Sequence, residues 1–209
     1  MIRNLIWDFD GTLFDTYPVS GGNFQRCIED AYGVKEDVSE IMAKMKNSFD
    51  TAMEFYANKY GFGQDFCRAF YHVNDTSTPD LAKPFSGVRE FCLLAKEKGC
   101  RHFLYTHRDE LTKEMLKEHG LYDCFAGFIT SADAFPRTPA PDAINHLLEK
   151  YGMAKDDAVM IGDREIDILA GKNAGIYACL FFPENGAFPE TAADFKIREI
   201  MELKKICGV

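Results

Sequence analysis

The chain has 209 residues, of which 46% are hydrophobic and 27% charged, so it is long enough to bury a sizeable core. Its formal net charge of -9 argues against nucleic acid or an anionic membrane surface as the main partner. The seven cysteines are odd in number and form no CxxC pair, which argues against a disulfide framework and a zinc site. No signal-peptide pattern or membrane-spanning apolar run occurs, so we expect a cytoplasmic protein.

The predicted elements begin with a buried strand over residues 2–7 and continue with a helical segment over residues 17–81. In that segment apolar residues recur at i, i+3, i+4 and i+7, for example over residues 24–31 and 66–73. This spacing is the period of an amphipathic helix. With glycines dividing the segment, we predict four short helices and no strand.

From Pro84 onward, predicted helices and strands alternate. The strands are predicted over residues 101–105, 126–129, 158–161 and 176–182. Such alternation indicates parallel strands joined by right-handed crossovers. We therefore predict an α/β fold with a doubly wound, Rossmann-like parallel-sheet core. Residues 1–16 and 82–209 would form this core, and residues 17–81 a small inserted α-helical cap domain.

Three of the predicted strands run directly into residues with reactive or metal-binding side chains. Asp8 and Asp10 follow the first strand, Thr106 follows the strand 101–105, and Asp163 follows the strand 158–161. Ligands of open parallel sheets bind beyond the carboxyl ends of the strands, so we expect these residues to converge there. An insert leaving from this edge would lie over the site as a lid.

The chemistry of this set suits phosphoryl transfer assisted by a metal. Asp8 and Asp163 offer the oxygen ligands that Mg2+ prefers, and a cation would offset the repulsion between the carboxylates and a phosphate. Asp8 would then be a usable nucleophile. Asp10 could donate a proton to the leaving oxygen and later accept one from water. Thr106 offers a hydroxyl and a backbone N–H to phosphate oxygens.

Three segments together resemble motifs I, II and IV of the haloacid dehalogenase superfamily, in its phosphoglycolate phosphatase and β-phosphoglucomutase branch. They are Asp8-Phe-Asp10-Gly-Thr12-Leu, Leu104-Tyr-Thr106 and Gly162-Asp163-Arg-Glu-Ile-Asp167. The resemblance implies Mg2+-dependent hydrolysis of a phosphomonoester through an aspartyl-phosphate on Asp8, with Asp10 as acid and base. It also implies that Asp8, the Asp10 carbonyl and Asp163 bind the metal, and that Asp167 supports these ligands.

The sequence departs from the family pattern at position 138. Where motif III of the family has a lysine before Pro-x-Pro-Asp, this chain has Thr138. Losing one electrostatic contact of this kind typically costs roughly a hundredfold to a thousandfold in rate. Arg137 could supply the charge, and His107 and Arg108 are other candidates. With Thr106, the latter two are also the predicted substrate-binding residues.

Three functions follow from these observations. The leading one is a phosphatase acting on a small phosphorylated metabolite. A phosphomutase of the β-phosphoglucomutase type is the nearest alternative, although residues 20–25 lack the histidine associated with those mutases. The third is a phosphate-binding relative with little or no activity, because the lysine is missing. A dehalogenase is disfavoured because those relatives lack the second aspartate of motif I, which is present here as Asp10.

Overall fold

A computed structural model describes all residues from Met1 to Val209, and the chain divides into two compact units. The first unit combines Met1–Phe14 with Pro84–Val209, and the second is Asp15–Lys83. The second unit is thus inserted into the first just after the Asp8 loop. That it serves as a cap domain stays a prediction.

The first unit is built on one six-stranded sheet. Its strands are β1 (Asn4–Trp7), β2 (Arg101–Tyr105), β3 (Phe125–Ile129), β4 (Ala158–Gly162), β5 (Tyr177–Phe181) and β6 (Phe195–Ile197). Their order across the sheet is β3-β2-β1-β4-β5-β6, and every neighbouring pair is parallel. This topology confirms the predicted α/β class with a doubly wound parallel sheet.

The inserted unit is entirely helical. It contains α1 (Tyr17–Tyr32), α2 (Val38–Asn47), α3 (Phe49–Tyr60) and α4 (Gln64–Leu81). An aromatic core formed around Phe24, Tyr56 and Phe70, each fully buried, packs these helices together. The helix spacing over residues 24–31 and 66–73 predicted part of this core. The Ser48 side chain accepts a hydrogen bond from the Thr51 N–H, caps α3 and so separates it from α2.

Five further helices belong to the first unit. They are α5 (Val88–Glu97), α6 (Leu111–Glu118), α7 (Asp142–Lys150), α8 (Glu165–Ala174) and α9 (Leu203–Cys207). Short 3-10 turns occur at Tyr122–Cys124, Ser131–Asp133, Lys155–Asp157 and Ile200–Glu202. The predicted strands and intervening helices are present with slightly shifted ends, whereas β6 and α9 were not predicted.

The central strand of the sheet is buried and apolar, and the candidate site lies at its carboxyl end. β1 lies between β2 and β4, and its residues Leu5, Ile6 and Trp7 are fully buried. A strand covered on both faces reads as a continuous apolar run, as β1 does. The carboxyl ends of these three adjacent strands therefore lie side by side. No helix of the protein is long and apolar enough to span a membrane.

Candidate active site

Asp8 is the first residue after β1 and lies at the centre of the sheet edge. Its backbone N–H donates a hydrogen bond to the carbonyl of Ile161 in β4 at 2.9 Å, which continues the ladder one residue beyond the strand. Its side chain is buried, with a residue exposure of 4%. Burial raises the pKa of Asp8 well above its ordinary value, and the neighbouring Asp167 adds to the rise while Arg164 opposes it.

Asp8 forms an acidic cluster with two aspartates from the end of β4 and the start of α8. One carboxylate oxygen from each of Asp8, Asp163 and Asp167 lies within 4.8 Å of the others. Asp167 is 1% exposed, and burial raises its pKa. Three carboxylates this close repel one another unless a cation compensates them. Because all the donors are oxygens, the cluster fits a hard divalent cation such as Mg2+.

Gly162 makes the close approach of Asp167 possible. A Cβ atom at position 162 would lie 2.4 Å from the Cβ of Asp167, a distance that real Cβ atoms essentially never show. Only glycine therefore fits between Ile161 and Asp163 with Asp167 in this place. The sequence predicted Asp167 as a residue supporting the ligands, and its position is also suitable for direct binding of a cation.

Arg164 contacts two members of the acidic cluster. Its Nη2 lies 3.4 Å from Oδ2 of Asp8 and 3.3 Å from Oδ1 of Asp167. Its Nε lies 3.3 Å from Oδ2 of Asp167, and the side chain is 13% exposed. Sequence reasoning missed Arg164, although its position between Asp163 and Asp167 was a signal that could have identified it.

Asp10 points to a different partner from Asp8. Nε of Arg108 lies 2.7 Å from Oδ1 and 2.9 Å from Oδ2 of Asp10. Directly after Asp10 the backbone turns at Gly11, whose φ of 74° lies in the left-handed region that favours glycine. The turn brings Thr12 to Asp163, where its hydroxyl donates a hydrogen bond to Oδ1 at 3.3 Å.

Thr106 follows β2 and is 1% exposed. Its backbone N–H donates to the carbonyl of Ile129 at 3.0 Å, so this N–H is held within the sheet. Its hydroxyl accepts a hydrogen bond from the N–H of Arg108 at 3.1 Å. Thr106 therefore fixes the turn that carries Arg108 towards Asp10, and its hydroxyl remains the group through which it could contact a phosphate.

The loop containing Thr138 meets the residue after Thr106. The N–H of Thr138 donates to Nε2 of His107 at 3.3 Å, and the Thr138 hydroxyl lies 3.4 Å from the same nitrogen. Arg137 is exposed, and its carbonyl accepts a hydrogen bond from the N–H of Ala140. Burial raises the pKa of Tyr105 to about 12, and the charge of Arg137 opposes this rise. Arg137 forms no ion pair with Asp8.

A parallel sheet with aspartates at its central strand ends is the arrangement expected for the haloacid dehalogenase type. The chain belongs to the haloacid dehalogenase-like hydrolase family, whose model matches residues 5–181. That match includes Asp8, Thr106 and the segment from Asp163 to Asp167, and it agrees with the resemblance seen in the sequence.

The relatives include a pyrophosphatase and a phosphoglycolate phosphatase. The chain is 25% identical to the pyrophosphatase PpaX of Halalkalibacterium halodurans over 216 residues, covering 100% of this chain and 98% of that protein. It is 26% identical to the phosphoglycolate phosphatase of Vibrio parahaemolyticus over 226 residues, covering 100% of this chain and 97% of that protein.

Solved structures share the fold over the whole chain. A hydrolase from Streptococcus pneumoniae matches with a TM-score of 0.69 and 27% identity, over 100% of this chain and 99% of that one. A subfamily IA hydrolase of the same superfamily from Geobacter sulfurreducens matches with a TM-score of 0.75 and 20% identity, over 97% of this chain and 100% of that one. The second likeness concerns the fold alone.

Proposed function

We propose that the protein is a Mg2+-dependent phosphatase that hydrolyses a small phosphomonoester through a covalent intermediate on Asp8. The observation that carries this proposal is the placement of three buried or partly buried carboxylates within 4.8 Å at the centre of the sheet edge. Asp10, two residues from Asp8, pairs with Arg108. The site thus contains a nucleophile, a separate acid and base, and a group of metal ligands.

Asp8, Asp163 and Asp167 have the oxygen chemistry that a magnesium ion requires. We assign Asp8 and Asp163 as its ligands, together with the carbonyl of Asp10, and Asp167 as a ligand or as a support for them. When bound, the ion would offset the charge of the carboxylates and of the phosphate. It would also keep Asp8 ionised, against the effect of burial on its pKa.

In the first step a carboxylate oxygen of Asp8 attacks phosphorus, and the bond between phosphorus and the leaving oxygen breaks. Asp10, in its acid form, gives its proton to that oxygen, and the alcohol product leaves. The phosphoryl group is then an acyl phosphate on Asp8. Thr106 would donate its hydroxyl proton to a phosphate oxygen, and His107 and Arg108 would contribute to binding the substrate.

In the second step water attacks the phosphorus of the acyl phosphate. Asp10, now a carboxylate, takes a proton from that water, and the bond between phosphorus and the Asp8 oxygen breaks. Inorganic phosphate is released and both aspartates return to their starting forms. Because Asp10 serves both steps, Arg108 would hold it in one orientation throughout.

Inorganic pyrophosphate is a second candidate substrate. It has the same phosphoryl group, with a phosphate in place of an alcohol as the leaving group, so the two steps on Asp8 would be unchanged. The likeness to PpaX proteins, which spans the whole chain at 25% identity, supports including it beside phosphoglycolate.

The test measures Mg2+-dependent hydrolysis of p-nitrophenyl phosphate, phosphoglycolate, pyrophosphate and a panel of sugar phosphates. We expect turnover of at least one of these by the wild type and none by Asp8→Asn, which keeps the size of the side chain. The matched control is Asp65→Asn, because Asp65 pairs with Arg68 on the surface of α4. Turnover that persists in Asp8→Asn, or no turnover of any compound, would refute the proposal and favour a phosphate-binding protein.

A further inference from the structure

The acidic cluster brings three carboxylates together, and a bound phosphate would add more negative charge than one divalent cation offsets. Asp8 and Asp167 are both buried, at 4% and 1% exposure. Repulsion between such groups is strong because the surrounding dielectric constant is low. The resemblance to motif III implies a lysine in this environment, but position 138 is a threonine.

Four basic side chains lie near the cluster, and three of them do not contact Asp8. Arg108 pairs with Asp10 through Nε. His107 accepts a hydrogen bond from Thr138, and Arg137 is exposed and forms no ion pair with Asp8. The fourth, Arg164, is the one whose guanidinium contacts a carboxylate oxygen of Asp8.

The position of Arg164 is fixed by the start of α8. Its backbone N–H donates to Oδ2 of Asp167 at 3.2 Å, and its Nε lies 3.3 Å from the same oxygen. The side chain therefore folds back over the first turn of the helix and reaches Asp8 with Nη2. A planar guanidinium can contact two carboxylates at once, whereas an ammonium acts as a point charge.

We propose that Arg164 is the cation that neutralises Asp8 and the transferred phosphoryl group, in the role that the resemblance to motif III gives to a lysine before Pro139. This inference rests on the proposed function, since it gives Arg164 a part in the same reaction. Negative charge grows next to Asp8 when the phosphate binds, and a guanidinium already in place compensates it without moving. The positive charge that is missing at position 138 thus comes from Arg164, just after β4.

The decisive experiment compares Arg164→Gln, Arg164→Lys and Arg137→Gln at saturating Mg2+. Arg164→Gln should lower kcat/KM by about a hundredfold to a thousandfold, the usual effect of losing one such electrostatic contact. Arg164→Lys should keep most of the activity, because it keeps the charge. Arg68→Gln is the matched control, since Arg68 also pairs with an aspartate but on an exposed surface.

A second variant tests whether the two positions supply the same charge. Thr138→Lys added to Arg164→Gln should restore kcat/KM at least about tenfold over Arg164→Gln alone, a fraction of the loss expected for one contact. The double variant also decides the matter if Arg164→Gln does not fold. A folded double variant with measurable recovery supports the proposal, and a folded but inactive one overturns it.

Calorimetric titration with inorganic phosphate and with Mg2+ gives readouts that do not depend on turnover. Phosphate should bind Arg164→Gln about tenfold more weakly, the loss expected for one charged contact of ~1.4 kcal/mol. If Arg164 only fills the place of the metal, Arg164→Gln should instead bind Mg2+ more tightly and keep wild-type kcat/KM, which would overturn the inference. A large loss in Arg137→Gln with none in Arg164→Gln would also overturn it.

The experiments distinguish a failure of the proposed function from a failure of the inference about Arg164. A wild type without Asp8-dependent turnover refutes the phosphatase, whereas the phosphate titration still reports whether Arg164 carries the charge that binds the anion. Turnover in the wild type with wild-type behaviour in Arg164→Gln refutes the inference alone.

Discussion

Nε of Arg108 lies nearly equidistant from the two carboxylate oxygens of Asp10, at 2.7 Å and 2.9 Å. Both side chains are mostly buried, with exposures of 15% and 17%. The hydroxyl of Thr106 accepts a hydrogen bond from the N–H of Arg108 and so fixes the turn that carries Arg108. The end of β2 therefore orients a carboxylate that belongs to the loop after β1.

We expect Arg108→Gln to lower kcat by about tenfold to a hundredfold, because a misplaced acid or base of this kind commonly costs about that much. Asp10→Asn, which removes the proton-transferring group itself, should cost ~10²- to 10⁴-fold. Steady-state kinetics at saturating Mg2+ on the best substrate of the panel would measure both. An Arg108→Gln enzyme with unchanged kcat would mean that Asp10 needs no orienting partner.

Thr12 supports a proposed metal ligand, Asp163, and therefore provides a test of the metal site. Its hydroxyl donates to Oδ1 of Asp163, and loss of such a supporting hydrogen bond typically weakens metal binding about 10- to 100-fold. We expect a chelator to abolish turnover, Mg2+ to restore it, and Thr12→Val to raise the half-saturating Mg2+ concentration by about tenfold. Valine keeps the shape of this fully buried side chain. An unchanged Mg2+ requirement would argue against Asp163 as a ligand.

Two glycines give opposite predictions for the same substitution. Gly162→Ala would place a Cβ 2.4 Å from that of Asp167 and should lower the free energy of unfolding by about 1–3 kcal/mol, as overpacking does. Gly22→Ala, in α1, meets no atom within 4 Å and should raise it by about 0.4–1 kcal/mol. Urea unfolding followed by circular dichroism would measure both. Equal effects would contradict the crowding seen at Asp167.

Buried His102 should make stability depend on pH. It is fully buried and accepts a hydrogen bond from Nε1 of Trp7, and burial lowers its pKa from 6.5 to about 4. As the pH falls from 6.5 to about 4, the unfolded chain takes up a proton that the folded protein does not. The free energy of unfolding should therefore fall, by at most ~1.4 kcal/mol per pH unit.

The comparison with His102→Gln isolates this effect. Glutamine can still accept the hydrogen bond of Trp7 but does not titrate, so its stability should depend less on pH across this window. The raised pKa of Asp8 acts in the opposite direction, since the folded state then holds a proton at higher pH, but it is common to both proteins. Parallel pH profiles for the two proteins would contradict a neutral buried His102.

Much of the fold was predictable because its elements repeat strong local patterns. The apolar run before Asp8, and the alternation after Pro84, reflect strands covered on both faces. β6 was not predicted because its three residues are too short to show a pattern. The boundary between α2 and α3 was not predicted, because periodicity does not register the cap at Ser48.

Part of the candidate site was likewise predictable from the sequence, and part was not. The convergence of Asp8 and Asp163 was predictable, since both follow strands that end at one edge of the sheet. The partners of the charged side chains were not, because a guanidinium spans several ångströms and its direction depends on the turn that carries it. Arg137, one of the candidate cations, is exposed, whereas Arg164, which no sequence pattern indicated, reaches Asp8.

The hydrogen bond between Thr12 and Asp163 joins residues that lie 151 positions apart in the chain. No single segment of the chain can form such a site alone, unlike a calcium loop, whose ligands lie close together in the sequence. Any opening that separates β1 from β4 would dismantle the ligand set while leaving both segments intact. Retention of a divalent ion would then report on the pairing of these two central strands, and the ion would act as a clamp on the middle of the sheet.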